Sequence, residues 1–551
     1  MIRAAEPVVR VVPSWTDPVP ALASRMVGGP LGRHAALGRH WFWTPLRVVL
    51  LFATITLALG WLVKAPCLQT YRDSSGGLRV DWRGGHQYKA MCYTDTVPLY
   101  AAQRLDRPGL AGFPYAASGG ERQESNAQVR YGQYPVLTGM YQWAAAKLTQ
   151  TWVTIANSGW LPSSAPAIVF FNVSAVGLTA AWLVTVWALV GLSRRRPWDG
   201  ALAAVSPLVV VHAFTNFDVL GTALATAGLL AWARRRPALA GALLGLGAAT
   251  DFYPLLLLFP ILLLCLRGGQ LPAGLRAAVA AALAWVVVNL PLAVLFPSGW
   301  AEFFRVNYRR DAGVDTLYTV VSTFTGWPGF GGVARAGQTP VTLNLVSATL
   351  FGLACTVIGA LALTAPRRPR LAQLCFLVVC AFLLVNKVWN PQNSLWLVPL
   401  VVLAIPRWKP VLAWMAVDAL LWAPRMAYYL GSAQMGLPIE PFLSAVLIRD
   451  AAVLLLAALV LRDIYRPAHD PIRAAGEDDP HAGVLTAPRP APPRAPAPAH
   501  PTPAHPDMET YRGDIDLIAP TGLHVGAIRS GLSELLAEPG DVFGLGVGVG
   551  F

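Results

Sequence analysis

Apolar runs separated by polar breaks, most of them short and the first about a hundred residues long, dominate the chain between residues 47 and 461. The runs fall at 47–65, 167–192, 200–214, 218–233, 237–250, 254–267, 276–296, 341–364, 371–386, 394–406, 410–424 and 441–461. A helix rises about 1.5 Å per residue, so about 20 apolar residues cross about 30 Å of hydrocarbon. The pattern therefore predicts an all-α polytopic membrane protein with about twelve transmembrane helices. Several runs hold only roughly 14 to 17 residues, which predicts tilted or re-entrant helices, or helices joined across a cavity.

The arginines orient this array. Arg194, Arg195 and Arg196 close the second run, and further basic groups follow at Arg234 to Arg236, Arg267 with Arg276, Arg367, Arg368 and Arg370, Arg407 with Lys409, and Arg462 with Arg466. Basic loops face the cytoplasm. Residues 1–46 are mixed and arginine-bearing, without the apolar core and small-residue cleavage site of a signal peptide, and are expected in the cytoplasm. Residues 66–166 then form a large first extracytoplasmic loop. The membrane domain spans 47–465, and 466–551, with its PRPAPPRAPAPAHPTPAHP stretch, reads as a disordered cytoplasmic tail. Its histidines are too loosely spaced for a metal site.

Composition agrees with the pattern. The chain has 551 residues, of which 55% are hydrophobic and only 13% charged, far from the usual balance of a soluble domain. A net charge of +14 would suggest nucleic acid in a soluble protein, but here the arginines lie between apolar runs, so no nucleic-acid partner is expected. Six cysteines make neither a disulfide framework nor a zinc site. Cys67 and Cys92 alone lie outside apolar runs, on the oxidising side, and are expected to pair.

Polar chemistry gathers at one set of helix ends. His212, Asn216 and Asp218 lie between two runs, Asp251 and Tyr253 between the next two, and Glu302, Arg305, Asn307, Arg309, Arg310 and Asp311 after the seventh. Asn386, Lys387, Asn390, Gln392 and Asn393 form another group. Ionisable groups are costly in a membrane unless they meet water, a partner or a substrate, so the chemistry is expected to face the exterior. In the first loop, Asp95 follows Cys92 closely; a helix N-cap and a solvated loop acid are the plain alternatives, and Asp73, Asp81 and Asp106 are rival acids. Residues 131–148 show helical spacing after a proline, as in an amphipathic helix on the outer leaflet or an ordinary packed loop helix.

The order of these motifs resembles that of polytopic GT-C glycosyltransferases. The closest resemblance is to the actinobacterial family 87 type, which includes polyprenyl-phosphate-mannose-dependent mannosyltransferases and related arabinofuranosyltransferases. It covers about residues 40 to 465. It rests on Cys92-Tyr93-Thr94-Asp95 with Pro98 and Tyr100, on Tyr134-Pro135-Val136-Leu137-Thr138-Gly139, and on Asn216-Phe217-Asp218. It also rests on Arg236-Pro237-Ala238-Leu239-Ala240-Gly241 leading to Tyr253-Pro254-Leu255, and on Asn386-Lys387-Val388-Trp389-Asn390-Pro391-Gln392. One departure stands out: related sequences usually carry a lysine just before the Tyr-Pro pair, where this chain has Asp251-Phe252-Tyr253.

The resemblance implies an integral membrane glycosyltransferase that moves a sugar, mannose favoured, from a polyprenyl phosphate donor to a lipid or glycan hydroxyl at the outer face of the membrane. Asp95 is the expected general base. Lys387, Arg309 and Arg310 are expected at the donor phosphate, and Tyr93, Asn216, Asp218, Tyr253, Asn386 and Gln392 around the substrates. No cofactor or metal is expected, since the Asp and His residues lack ligand spacing. The competing expectation is a transporter or flippase of lipid-linked sugars, for which matching halves and mid-membrane charges are missing.

Overall fold

The computed structural model describes residues 18–19, 43–74, 76–116, 132–330 and 339–485. Helices of seven or more residues are α1 (Pro45–Lys64), α2 (Thr96–Ala102), α3 (Val136–Asn157), α4 (Pro166–Ser193), α5 (Asp218–Ala233), α6 (Pro237–Ala248), α7 (Leu258–Arg267) and α8 (Leu271–Leu295). They continue with α9 (Pro297–Arg309), α10 (Leu317–Thr325), α11 (Val341–Thr364), α12 (Leu371–Val385), α13 (Leu397–Ala404), α14 (Trp408–Leu420), α15 (Trp422–Leu430) and α16 (Ile439–Tyr465). Strands β1 (Thr70–Arg72) and β2 (Leu78–Val80) form one antiparallel hairpin, with Tyr71 opposite Arg79.

Among the described residues, five helical segments are long and apolar enough to cross a membrane: Pro45–Leu68, Pro166–Ser193, Leu271–Leu295, Val341–Thr364 and Ile439–Tyr465. The remainder of the expected twelve runs form shorter helices. The run at 200–214 breaks into Ala201–Ala204 and Pro207–His212, because Pro207 cannot continue a helix from the preceding turn. The two lengths differ in burial. On α8, Leu275, Val279, Leu283, Val287, Leu290 and Val294 are exposed along one stripe, as a lipid-facing helix requires. On α13 every residue is buried, and on α12 only a few are not. Short helices thus form an inner layer shielded by protein, where a full bilayer span is not needed to satisfy each one.

Prolines set the helix starts. Pro45, Pro166, Pro237 and Pro297 each occupy the first turn, where a missing N–H costs nothing. Close packing follows from small residues: a Cβ on Gly241 would lie 1.9 Å from the Ala277 carbonyl oxygen, and one on Gly245 would lie 2.1 Å from that of Ala281. The i, i+4 pairs Gly241/Gly245 and Ala277/Ala281 bring the backbones of α6 and α8 together.

Of the two readings of the segment starting near 131, a packed helix and one lying on the outer leaflet, the second does not hold: Thr138, Gln142, Ala145, Ala146 and Thr149 of α3 are buried in the body. Nor does the tail begin at 466. Residues 466–485 fold against the basic clusters, with Asp470 paired to fully buried Arg370 at 2.7 Å, Asp478 to Arg367 at 2.7 Å and Glu477 to Arg195 at 3.4 Å. The buried Arg370 guanidinium needs acceptors, and Asp470 of this segment supplies them. The Pro- and His-rich stretch lies outside the described residues.

Candidate active site

The helix ends opposite those basic clusters enclose three adjoining cavities. The chain enters this region at the end of α1, where the Cys67–Cys92 disulfide joins Cα atoms 5.6 Å apart. Met91, just before it, has φ +55°, a left-handed conformation uncommon for a side chain of this size, and its carbonyl accepts from the Trp422 indole at 2.7 Å. The next three residues are tied to the loop before α5. The Thr94 hydroxyl donates to the Phe214 carbonyl at 2.7 Å, and the Asp95 backbone N–H donates to the Thr215 carbonyl at 2.9 Å. Beneath them the fully buried Lys64 ammonium donates to the Tyr93 carbonyl at 2.8 Å and to the Thr215 hydroxyl at 3.1 Å, below the Trp422 ring.

Asp95 occupies the N-cap position of α2, yet its side chain makes no capping bond. Instead its carboxylate accepts from the Asn216 amide at 3.0 Å and lines a cavity of about 420 Å³. Tyr88, Tyr93, Tyr429, Trp422 and Arg425 form much of the opposite wall, with Tyr88 stacked on both Tyr93 and Tyr429. Arg425 is held by Asp315 at 2.9 Å. Burial pushes the Asp95 carboxyl above its usual range, against the opposing pull of Tyr93, Arg425, Lys64 and Asn216. A carboxylate with a raised pKa is a better proton acceptor than a free one.

The rival acids are placed elsewhere. Asp73 is bound by Arg79 at 2.9 Å, and Asp81 by Arg83 at 2.7 Å, whose hydrogen bond holds that exposed carboxyl down at about 2. Asp106 is exposed. None of the three lines these three cavities.

A second cavity of about 170 Å³ adjoins the first through the shared walls Gln133, Asn216, Arg310, Asn390 and Gln392. It adds Asp218, Asp251, Asn307 and Asn393. Pro391 opens a 3-10 turn in which the Asn390 N–H donates to the Asn393 side chain at 2.9 Å, while the Asn393 amide donates to Asp218 at 2.7 Å. A third, apolar cavity of about 350 Å³ continues from it past Pro135 and Phe303, walled by Trp285, Trp300, Phe304 and the alanine face of α8. Tyr134 borders all three, and the Tyr115 hydroxyl holds that corner by donating to the Tyr134 and Pro135 carbonyls at 3.0 Å.

Of the sequence-predicted residues, Asp95, Tyr93, Asn216, Asp218, Gln392 and Arg310 meet in these cavities. Others do not. Lys387 is buried and its ammonium donates to the carbonyls of Arg310, at 2.6 Å, and Tyr308, and to the Asn344 side chain, so it braces the Arg310 segment. Arg309 is exposed and borders none of the cavities. Tyr253 is a core residue stacked on Trp396 at 4.6 Å, and Asn386 folds back onto the Val388 carbonyl. Sequence reasoning missed Lys64 and Arg425. The signal was there for Lys64, a charge within an apolar run; Arg425 had no motif around it.

Residues 151–386 match the model of glycosyltransferase family 87. This segment, less than half of the chain, is similar to that family. The match contains Asn216, Asp218, Asp251 and Arg310; it begins after Asp95 and ends before Asn390 and Gln392. No curated protein matches the chain. A glycosyltransferase of that family holds a sugar donor and an acceptor, and the linked cavities here offer room for two such partners.

Proposed function

We propose that the chain transfers a sugar, with mannose favoured, from a polyprenyl phosphate to a hydroxyl of a lipid or glycan acceptor, with Asp95 as the general base. The observation that carries this reading is the continuity of the three cavities. An apolar groove suits a prenyl chain, a polar pocket with Arg310 suits the phosphate and its sugar, and the Asp95 cavity suits the acceptor. The acceptor hydroxyl loses its proton to the Asp95 carboxylate as its oxygen attacks the anomeric carbon, and the bond to the phosphate oxygen breaks with the electron pair leaving on the phosphate. Arg310 stabilises that developing charge.

The basic clusters at the opposite helix ends support an active site on the outer face of a cell membrane, with both termini cytoplasmic. The Cys67–Cys92 disulfide beside Asp95 supports the same side, since such bonds persist where the environment is oxidising. The test uses sealed vesicles containing the full chain and a radiolabelled polyprenyl-phosphate mannose. Label in a new glycosidic product is the expected result. Label that crosses the bilayer without entering a new glycosidic bond would make the chain a flippase.

A further inference from the structure

The 170 Å³ pocket is too polar for a prenyl chain. Two carboxylates, Asp218 and Asp251, face it from different elements, and their approach is built in. Gly221 lies one helical turn beyond Asp218 on α5, and a Cβ there would come within 2.9 Å of the Asp251 Cβ, so the missing side chain admits Asp251. The Asp251 backbone is held by the Gly247 carbonyl at 2.8 Å, and the neighbouring Thr250 carbonyl accepts from the Thr138 hydroxyl at 2.7 Å. Gln392 supplies an independent sign of a ligand. The residue is 5% exposed and borders the pocket, yet its side-chain amide makes no hydrogen bond among the described residues. The amide opens onto the pocket, where a ligand with donors and acceptors can engage both its oxygen and its NH2 group.

We propose that this pocket is the subsite for the transferred sugar, that Asp251 and Asp218 accept hydrogen bonds from its hydroxyls, that Gln392 completes the set, and that the paired carboxylates select a neutral sugar over one bearing its own acid group. The proposal rests on the donor reading above. Carboxyl acceptors match the hydroxyl donors of a neutral sugar, whereas a uronic acid would bring a further negative charge against them. Asn216 spans the boundary, touching Asp95 on one side and bordering the pocket on the other, which puts the sugar next to the base.

Three farnesyl phosphodiesters isolate the sugar's contribution, because each carries the same lipid and the same phosphate charge: one bears mannose, one a methyl group, and one mannuronic acid. Their affinities are measured on the purified full chain in detergent. The expected wild-type order is mannosyl tightest, by about tenfold or more over methyl, the worth of one charged hydrogen bond, with the uronyl lipid weakest. Asp251→Asn should remove most of the mannosyl advantage and narrow the uronyl penalty, and Gln392→Leu should reduce the mannosyl advantage alone. Both should leave the methyl lipid's affinity unchanged. If both variants keep the wild-type differences while the methyl lipid still binds, the sugar lies elsewhere and the donor reading stands. If none of the three lipids binds saturably to wild type, the donor reading falls and this assignment with it.

Discussion

At the scale of single residues, the site is decided by what surrounds each carboxylate. Asp73 and Asp81 are neutralised by neighbouring arginines on the surface, whereas Asp95 is drawn into a cavity and kept from capping its helix. Lys64 is the least obvious contributor, since it never reaches the cavity wall. Its ammonium ties the Tyr93 carbonyl to Thr215, and its charge favours the ionised form of Asp95. Arg425 favours that form too, while Asp218 opposes it, and Tyr93, Tyr88, Tyr134, Tyr429 and Arg310 line the same cavity. A base must be ionised to work, so activity is lost as pH falls through the raised Asp95 pKa. Replacing Lys64 with methionine removes a positive charge and raises that pKa further. The acid limb of kcat/KM should therefore move to higher pH, with low-pH turnover losing more than high-pH turnover. An acid limb that stays put in Lys64→Met would confine the lysine to a purely structural part.

Among the elements, α6 and α8 show how packing shapes the apolar cavity. Gly241 and Gly245 let α8 approach so closely that Ala281 serves both as packing surface and as cavity wall. Gly245→Leu should overpack this contact, costing about 1–3 kcal/mol or more, read as a lower melting temperature in detergent. The apolar runs made the longer helices legible, because hydrophobic length is a strong signal. They did not reveal the short ones equally. The run at 200–214 is mostly apolar, and Pro207 and the packing around it divide it into separate helices. The site was legible in part for a similar reason. Asn216, Asp218, Arg310 and Gln392 stand out as polar residues at helix ends, whereas the fate of Lys387 depends on the Arg310, Tyr308 and Asn344 acceptors, distant in sequence and visible only once the chain is folded.

On the scale of the whole molecule, the two ends of the helices do different work. One end collects arginines and closes over them with the 466–485 segment; the other opens into the cavities. The Arg370–Asp470 pair is fully buried, with Arg370 also donating to the Leu403 and Ala404 carbonyls at 2.9 and 2.7 Å. Breaking such a pair from one side strands a buried charge, so Asp470→Asn should destabilise the fold by about 3–5 kcal/mol, measured by thermal or denaturant unfolding in detergent. An unchanged melting temperature would show the segment to be dispensable. The central claim concerns Asp95. In a single-turnover experiment with donor already bound, Asp95→Asn should lower the transfer rate by about a hundredfold or more while donor affinity stays within a few-fold of wild type, because the amide keeps the shape but cannot take the proton. A rate close to wild type with the donor bound would contradict the account.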